Sequence, residues 1–360
     1  MAAVNAYSWF DRLVHRIAFA SPAVQMTAAE IEGSLFGRDF EGVETGPPVF
    51  VTSLPRAGTT ILLTALNASP QLATSLYRDM PFVMAPVLWA RFSGGFRKAS
   101  TPRERAHGDG VAIGYDSPEA FEEVIWRAFW PEHVAPEGIA LAGAEDARPE
   151  ATAFLERHFR KIVALRCGPE ARGARYISKN NANIARLPLL RAMFPGARIL
   201  VPLRDPMAHA ASLRRQHANF LARHAEDAFA RRYMADIGHY EFGALHRPIR
   251  FPGLEELAEG LDPGRLDYWL AYWIAAFGHV EAHLDAVEIL DHDALCARAG
   301  PAAGADLCAL LGLPAEQAPA IGGQFRAAPP PDPETAAHRR ALRERAEALH
   351  ARLAAARAAP

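Results

Sequence analysis

The chain has 360 residues and a formal net charge of −2, from 39 Lys and Arg against 41 Asp and Glu. Half of the residues are hydrophobic and 22% are charged, enough for one large or two ordinary domains, which excludes a disordered chain and a small stapled scaffold. The balanced charge offers no bulk attraction for duplex nucleic acid or an anionic membrane, so no nucleic-acid partner is expected.

Among the basic residues only Lys98, Lys161 and Lys179 are lysines. Arginine's planar fork suits phosphate and sulfate oxygens, although a compositional bias, seen also in the abundant alanine, explains the excess as well. Cys167, Cys296 and Cys308 are too few and too scattered for a disulfide framework or a zinc site, which fits a reducing compartment. No run of 18 apolar residues occurs, so no transmembrane segment is expected. Asp11, Arg12, His15 and Arg16 interrupt the apolar residues near the N-terminus, which argues against a signal peptide. A cytoplasmic location is the expectation.

Residues 8–36 carry helical spacing, with Trp9, Leu13 and Ile17 on one stripe and a second helix around Ala28–Leu35. After the turn residues EGVETGPP, the run Val49–Ser53 reads as a buried strand and Arg56–Ala65 as a helix. A long stretch, 77–170, holds a helix over Pro118–Trp130 with Phe121, Val124, Ile125, Ala128 and Phe129 on one face. Further strands are expected at Arg175–Ser178, Arg198–Leu203 and Ala286–Leu290. A helix follows through Ile184–Met193, and another runs from Pro206 towards His224 with Asp205 as N-cap. Asp262–Pro263 opens a long helix whose Leu266, Trp269, Leu270, Trp273, Ile274 and Phe277 read as core. PPPDP then breaks the chain before an Ala/Arg-rich helix, Glu334–Ala359, which packs on the domain, on a second subunit as a homodimer, or stays solvated. Strands alternating with helices predict an α/β fold: a central parallel sheet flanked by helices.

The segment Pro55-Arg56-Ala57-Gly58-Thr59-Thr60 joins a strand to a helix. Such a loop aims several backbone N–H groups at one point, Gly58 lets a ligand approach closely, and Arg56, Thr59 and Thr60 add charge and hydroxyls. The result is a cradle for phosphate-like oxygens, set against the plainer reading of an ordinary turn with a solvated arginine. In the GxxxxGK[ST] pattern of nucleoside triphosphatases, Ser53 stands at the first glycine and Thr59 at the lysine, which argues against an ATPase or GTPase. A second unit, Leu203-Arg204-Asp205-Pro206, places Arg204 at a strand end and Ser212 nearly two helical turns later. Both can converge on a phosphate beside that helix.

The two motifs together resemble the sulfotransferase family, which uses 3′-phosphoadenosine 5′-phosphosulfate (PAPS). PRAGTT is close to the family's PRSGTT, with Ala57 in place of a common serine. Arg204 and Ser212 match the family's 3′-phosphate arginine and serine. YISKNNANIARLPLLRAMFPGARILVPLRDP looks like the lysine-bearing strand and helix that precede that motif, and ILDHDALCARAG is similar to a later strand with Asp293 in its acidic position. The likeness spans roughly 48–330 and is nearer the bacterial and Golgi-type branches.

The resemblance implies a fold built like nucleotide kinases and transfer of a sulfuryl group, in line, from PAPS to a hydroxyl or amine, without a metal. It assigns Arg56, Ala57, Gly58, Thr59 and Thr60 to the 5′-phosphosulfate, and Arg204 and Ser212 to the 3′-phosphate. Lys179 would neutralise the departing bridging oxygen. The sequence has Asn181 where cytosolic members carry a catalytic histidine. Asp79 lies near the carboxylate position of another branch and is the candidate base, a local turn or cap being its competing role. Glu122 and Glu123 are weaker candidates, expected to face solvent. The alternatives to a sulfotransferase are a P-loop-type kinase and a catalytically degenerate nucleotide-binding module. The expected organisation is an N-terminal helical segment (1–48), a catalytic domain (49–330) with an acceptor-side insert (77–170), and the C-terminal helix (331–360). The acceptor, a small molecule, lipid or sugar, is expected to be selected by 77–170 and 225–262. His209, His217 and His224, spaced by eight and seven, read as one face of a helix rather than as metal ligands. Trp126, Phe129 and Trp130 read as core first and acceptor pocket second.

Overall fold

The computed structural model describes residues 9–93, 103–104, 112–113, 117–119, 121–326 and 339–356. Its centre is a five-stranded sheet of β1 (Glu44–Val51), β2 (Leu72–Ala73), β3 (Arg172–Lys179), β4 (Arg198–Leu203) and β5 (Glu288–Asp291). The order is β2-β3-β1-β4-β5 and every pair is parallel. Val49, Phe50 and Val51 of β1 are wholly buried, because a central parallel strand is covered by helices on both faces. Each such side chain contributes about 1.5–3 kcal/mol on burial. The expected parallel sheet flanked by helices is therefore present, with β2 as a short edge strand that the sequence pattern does not reveal.

Two apolar clusters fill the two faces. One is built on the helices Pro149–Cys167, Pro206–Glu226 and Leu266–Glu281; the other holds the helices Thr59–Leu66 and Pro301–Leu311. Trp269, Trp273 and Phe277 are buried as expected, and so are Trp126 and Trp130. The helix expected over Pro118–Trp130 is only Glu123–Phe129, because Pro118 is taken into a bridge with Leu76.

The N-terminal helices Trp9–Ala18 and Pro22–Phe36 pack on this body. The stripe Trp9, Leu13 and Ile17 does not face inward: these residues are exposed by 76%, 42% and 53%, while His15 and Ala18 are buried. His15 takes the inner position by stacking on Phe19 and Tyr233 and bonding Asp236 at 3.0 Å. The second helix is fixed by a buried ion pair, Glu32 to Lys161 at 2.7 Å. At the other end, the helix Arg340–Ala355 lays Leu342, Ala346, Leu349 and Leu353 against its own chain, with Arg352 paired to Glu281. The break at PPPDP and residues 334–338 and 357–359 of the expected C-terminal helix lie outside the described residues. No described helix is long and apolar enough to cross a membrane.

Candidate active site

β1 lies between β3 and β4, which both come later in the chain. Strand order thus reverses at β1, and ligands of such sheets bind beyond the carboxyl ends of the strands at this point. The loop Thr52–Gly58 leaves β1 here and feeds the helix Thr59–Leu66. Thr52 N donates to Leu200 O and Ser53 Oγ to Pro202 O, each at 3.0 Å, so β4 holds the start of the loop. Arg56 and Gly58 both have positive φ, 71° and 89°. Such a conformation in a non-glycine residue costs about 1–3 kcal/mol and persists only where the surroundings enforce it.

The surroundings here are the second motif. Arg204 Nη1 donates to the carbonyl of Arg56 at 3.1 Å, and Arg56 Nε donates to Ser212 Oγ at 3.3 Å. Arg56, Arg204 and Ser212, three of the residues singled out in the sequence, are therefore brought together. Ala57 is wholly buried beneath the loop, and Gly58 caps the helix that carries Thr59 and Thr60. A Cβ on Gly58 would stand 2.7 Å from His292 Nε2 and closer still to two other ring atoms. Glycine is thus required here both by φ and by space. Asp205 caps the helix Pro206–Glu226 through Ala208 N, and its own N–H donates to Asp293 Oδ2 at 3.0 Å. Burial lowers the Arg204 pKa below the ordinary guanidinium range, and the nearby Asp293 carboxylate opposes that shift.

Lys179 ends β3 in register with Val51 of β1. It is 7% exposed, and Glu119 Oε1 lies 3.9 Å from its Nζ. Glu119 also accepts from Tyr77 OH at 2.5 Å. Beyond Lys179, Asn181 links the loop to the segment around Glu241: Thr59 Oγ1 donates to Asn181 Oδ1, and Asn181 Nδ2 donates to Glu241 Oε1, both at 3.3 Å.

Asp79 is engaged elsewhere. Its carboxylate accepts from Leu76 N at 2.7 Å and from Arg166 Nη2 at 2.6 Å, and only 2% of the residue is exposed. The geometry is that of a turn cap with a buried ion pair. Glu122 and Glu123, expected to face solvent, are instead 2% and 4% exposed. Glu122 accepts from Trp126 Nε1, Tyr176 OH and Asn183 Nδ2. Glu123 holds Arg186 through two bonds and accepts from Asn180 Nδ2. Asn180, Asn183 and Arg186 sit on the segment after Lys179, so the buried carboxylates anchor that segment.

The three histidines of the helix Pro206–Glu226 also reach backbone. His209, wholly buried with its pKa lowered to about 3 by burial, is neutral and donates through Nε2 to Pro55 O at 2.8 Å. His217 Nδ1 accepts from Gly243 N and His224 Nδ1 from Ala244 N, each at 3.2 Å. One helix therefore braces both the loop Thr52–Gly58 and the segment at Gly243 and Ala244. The spacing of eight and seven shows the face they share but not their partners.

A small cavity, partly open to solvent, adjoins the loop at Leu54 and Pro55. Its apolar walls come from Ile139, Tyr240, Ile249, Trp269 and Tyr272, and Asn180, Asn181, His239, Glu241 and Arg247 add polar groups. Trp269 and Tyr272 thus serve both core and cavity, whereas Trp126 and Trp130 do not line it.

A parallel α/β sheet with an arginine-bearing anion loop at its switch point defines a class of proteins that handle phosphate- or sulfate-like groups. Within that class, residues 47–248 match the model of the sulfotransferase family, and the chain belongs to that family. Among solved structures it is similar to the sulfotransferase STF1 of Mycobacterium tuberculosis H37Rv, at 16% identity and a TM-score of 0.47, covering 86% of this chain and 79% of that one. It is also similar to STF9 of Mycobacterium avium, at 14% identity and 0.44, covering 89% and 77%. The sulfotransferase of Alicyclobacillus acidocaldarius gives 17% identity and 0.38, covering 86% and 93%. A search of curated proteins finds no match.

Proposed function

We propose that this chain transfers a sulfuryl group from PAPS to a hydroxyl or amine of a small acceptor by in-line displacement. The observation that carries this reading is the meeting of Arg56, Arg204 and Ser212 across two distant motifs. Two arginines and a hydroxyl gathered at the ends of two adjacent strands suit a ligand with anionic groups at both ends. The cradle suits such oxygens: Gly58 takes the positive φ that turns the loop into the helix, and Thr59 and Thr60 open a helix whose N-terminus favours anions.

In this reading Arg56 and the amides of the loop hold the 5′-phosphosulfate, while Arg204 and Ser212 hold the 3′-phosphate. Lys179, at the end of the neighbouring strand β3, balances the charge left on the bridging oxygen as the sulfur–oxygen bond breaks. Catalysis then rests on positioning and charge stabilisation, as in phosphoryl transfer. The cavity beside Pro55 receives the acceptor. Its aromatic and aliphatic walls suit a flat apolar body, and its polar rim suits a hydroxyl.

Calorimetry with 3′-phosphoadenosine 5′-phosphate, AMP and ATP with Mg²⁺ tests the donor half. Preference for the bisphosphate supports PAPS, whereas preference for ATP would replace this reading with that of a kinase. An acceptor screen with isotope-labelled PAPS, read by mass shift, tests the transfer.

A further inference from the structure

The reading above leaves the acceptor's proton without a destination, since Asp79 is committed to Arg166 and to the Leu76 amide. Among the described residues lining the cavity beside Pro55, Glu241 is the one carboxylate. It is half-buried, and its Oε1 accepts from Asn181 Nδ2 at 3.3 Å. Asn181 in turn accepts from Thr59 at the start of the anion-loop helix. Two hydrogen bonds therefore connect this carboxylate to the donor cradle.

Glu241 is also held in place. His246 Nδ1 lies 2.7 Å from the Glu241 carbonyl. A carbonyl only accepts, so Nδ1 carries the proton and Nε2 accepts from Tyr268 OH, also at 2.7 Å. Burial lowers the His246 pKa to about 4, which keeps this neutral form in place at neutral pH. On the other side, His217 and His224 clamp the amides of Gly243 and Ala244. Gly243 has a φ of 67°, and a Cβ there would stand 2.7 Å from His224 Nδ1, so the turn fits closely against the helix. Three neutral imidazoles thus fix a short segment whose exposed chemical group is the Glu241 carboxylate. Such rigidity is what a proton acceptor needs.

We infer that Glu241 is the general base of the reaction, a role that rests on the proposed transfer from PAPS. As the acceptor oxygen forms its bond to sulfur, the sulfur–oxygen bond to the 5′-phosphate breaks, and the leaving bisphosphate keeps that electron pair. The acceptor's proton passes to Glu241. Asn181, which stands where cytosolic relatives carry a histidine, positions the carboxylate instead of taking the proton.

The test compares wild type with Glu241→Gln, which keeps the shape and a hydrogen-bonding oxygen, and with Glu119→Gln, which alters the carboxylate beside Lys179. The readouts are calorimetric affinity for 3′-phosphoadenosine 5′-phosphate and release of that product from PAPS, with 2-naphthol as acceptor and with water alone, across a pH series. For Glu241→Gln we expect bisphosphate affinity within about threefold of wild type, kcat lower by about 100-fold or more, and no acid-side fall in kcat, a fall expected of wild type. Unchanged kcat in Glu241→Gln, or loss of the acid fall in Glu119→Gln instead, overturns the assignment. Wild type that binds the bisphosphate but releases none from PAPS overturns it too. Wild type that fails to bind the bisphosphate refutes the donor reading itself, which separates the two failures.

Discussion

Gly58→Ala probes the anion loop directly. The substitution acts twice. At a φ of 89° an alanine loses roughly 1–2 kcal/mol relative to glycine. Its methyl would also lie 2.7 Å from His292 Nε2 and nearer to two other ring atoms, and His292 is buried with Cys296 beside it. Moving that ring disturbs a packed site and adds about 1–3 kcal/mol. The sum is about 2–5 kcal/mol, and thermal melting should fall by several degrees. Calorimetry should show bisphosphate affinity at least about tenfold weaker, because the cradle's backbone has shifted. The double variant Gly58→Ala/His292→Ala removes the collision but not the unfavourable φ, so it should recover part of the loss relative to His292→Ala alone. A Gly58→Ala protein that melts within about a degree of wild type and binds the bisphosphate equally well would refute the account of the loop.

Arg204→Ala should weaken 3′-phosphoadenosine 5′-phosphate binding by about 10–100-fold and AMP binding by less, since the charge-assisted contact to the 3′-phosphate is lost in addition to the brace on the Arg56 carbonyl; equal losses for both ligands count against that placement. Asp79→Asn should lower stability by about 3 kcal/mol in urea unfolding, by leaving Arg166 without its buried partner, yet keep the pH dependence of turnover. A changed pH profile would return Asp79 to the chemistry. Stability should fall on acidification below about pH 6.5, the ordinary imidazole value. Burial holds His158 and His209 at about 3 in the folded chain, so the unfolded chain takes up protons first as pH drops. Each contributes a loss of about 2 kcal/mol by pH 5, present in full above the unfolded value. Urea midpoints at pH 7.5 and 5 check this, and His158→Leu should flatten the dependence; an unaltered slope would rule out that source. Glu32→Gln should detach the second helix from Lys161 at a cost of about 3–5 kcal/mol, seen as earlier proteolysis near the N-terminus.

The sheet was legible because a parallel strand buried on both faces leaves a continuous apolar run. Arg198–Leu203 shows this with the same bounds in sequence and structure. β2 was not legible, since Leu72–Ala73 is too short to carry a period. That the Arg56 and Arg204 motifs lie at adjacent strand ends was readable, whereas the direct bond from Arg56 to Ser212 was not. The burial of Glu122 and Glu123 was not, because it depends on Asn180, Asn183 and Arg186, some sixty positions away. Helical periodicity likewise put Trp9, Leu13 and Ile17 on one stripe without saying that His15 would take the inner face. Glu241 carries no local signal at all: its place follows from Asn181 on one side and from three histidines on the other.

The central position of β1 has a consequence for biogenesis. Its neighbours on both flanks begin more than a hundred residues downstream, at Arg172 and Arg198. A nascent chain that has emerged only as far as the insert holds Val49–Val51 with no lateral partner, an adhesive template for other chains. The anion loop waits longer still, because its brace Ser212 and its wall His292 arrive later. Translation must therefore pass His292 before the pocket can be tested by a ligand.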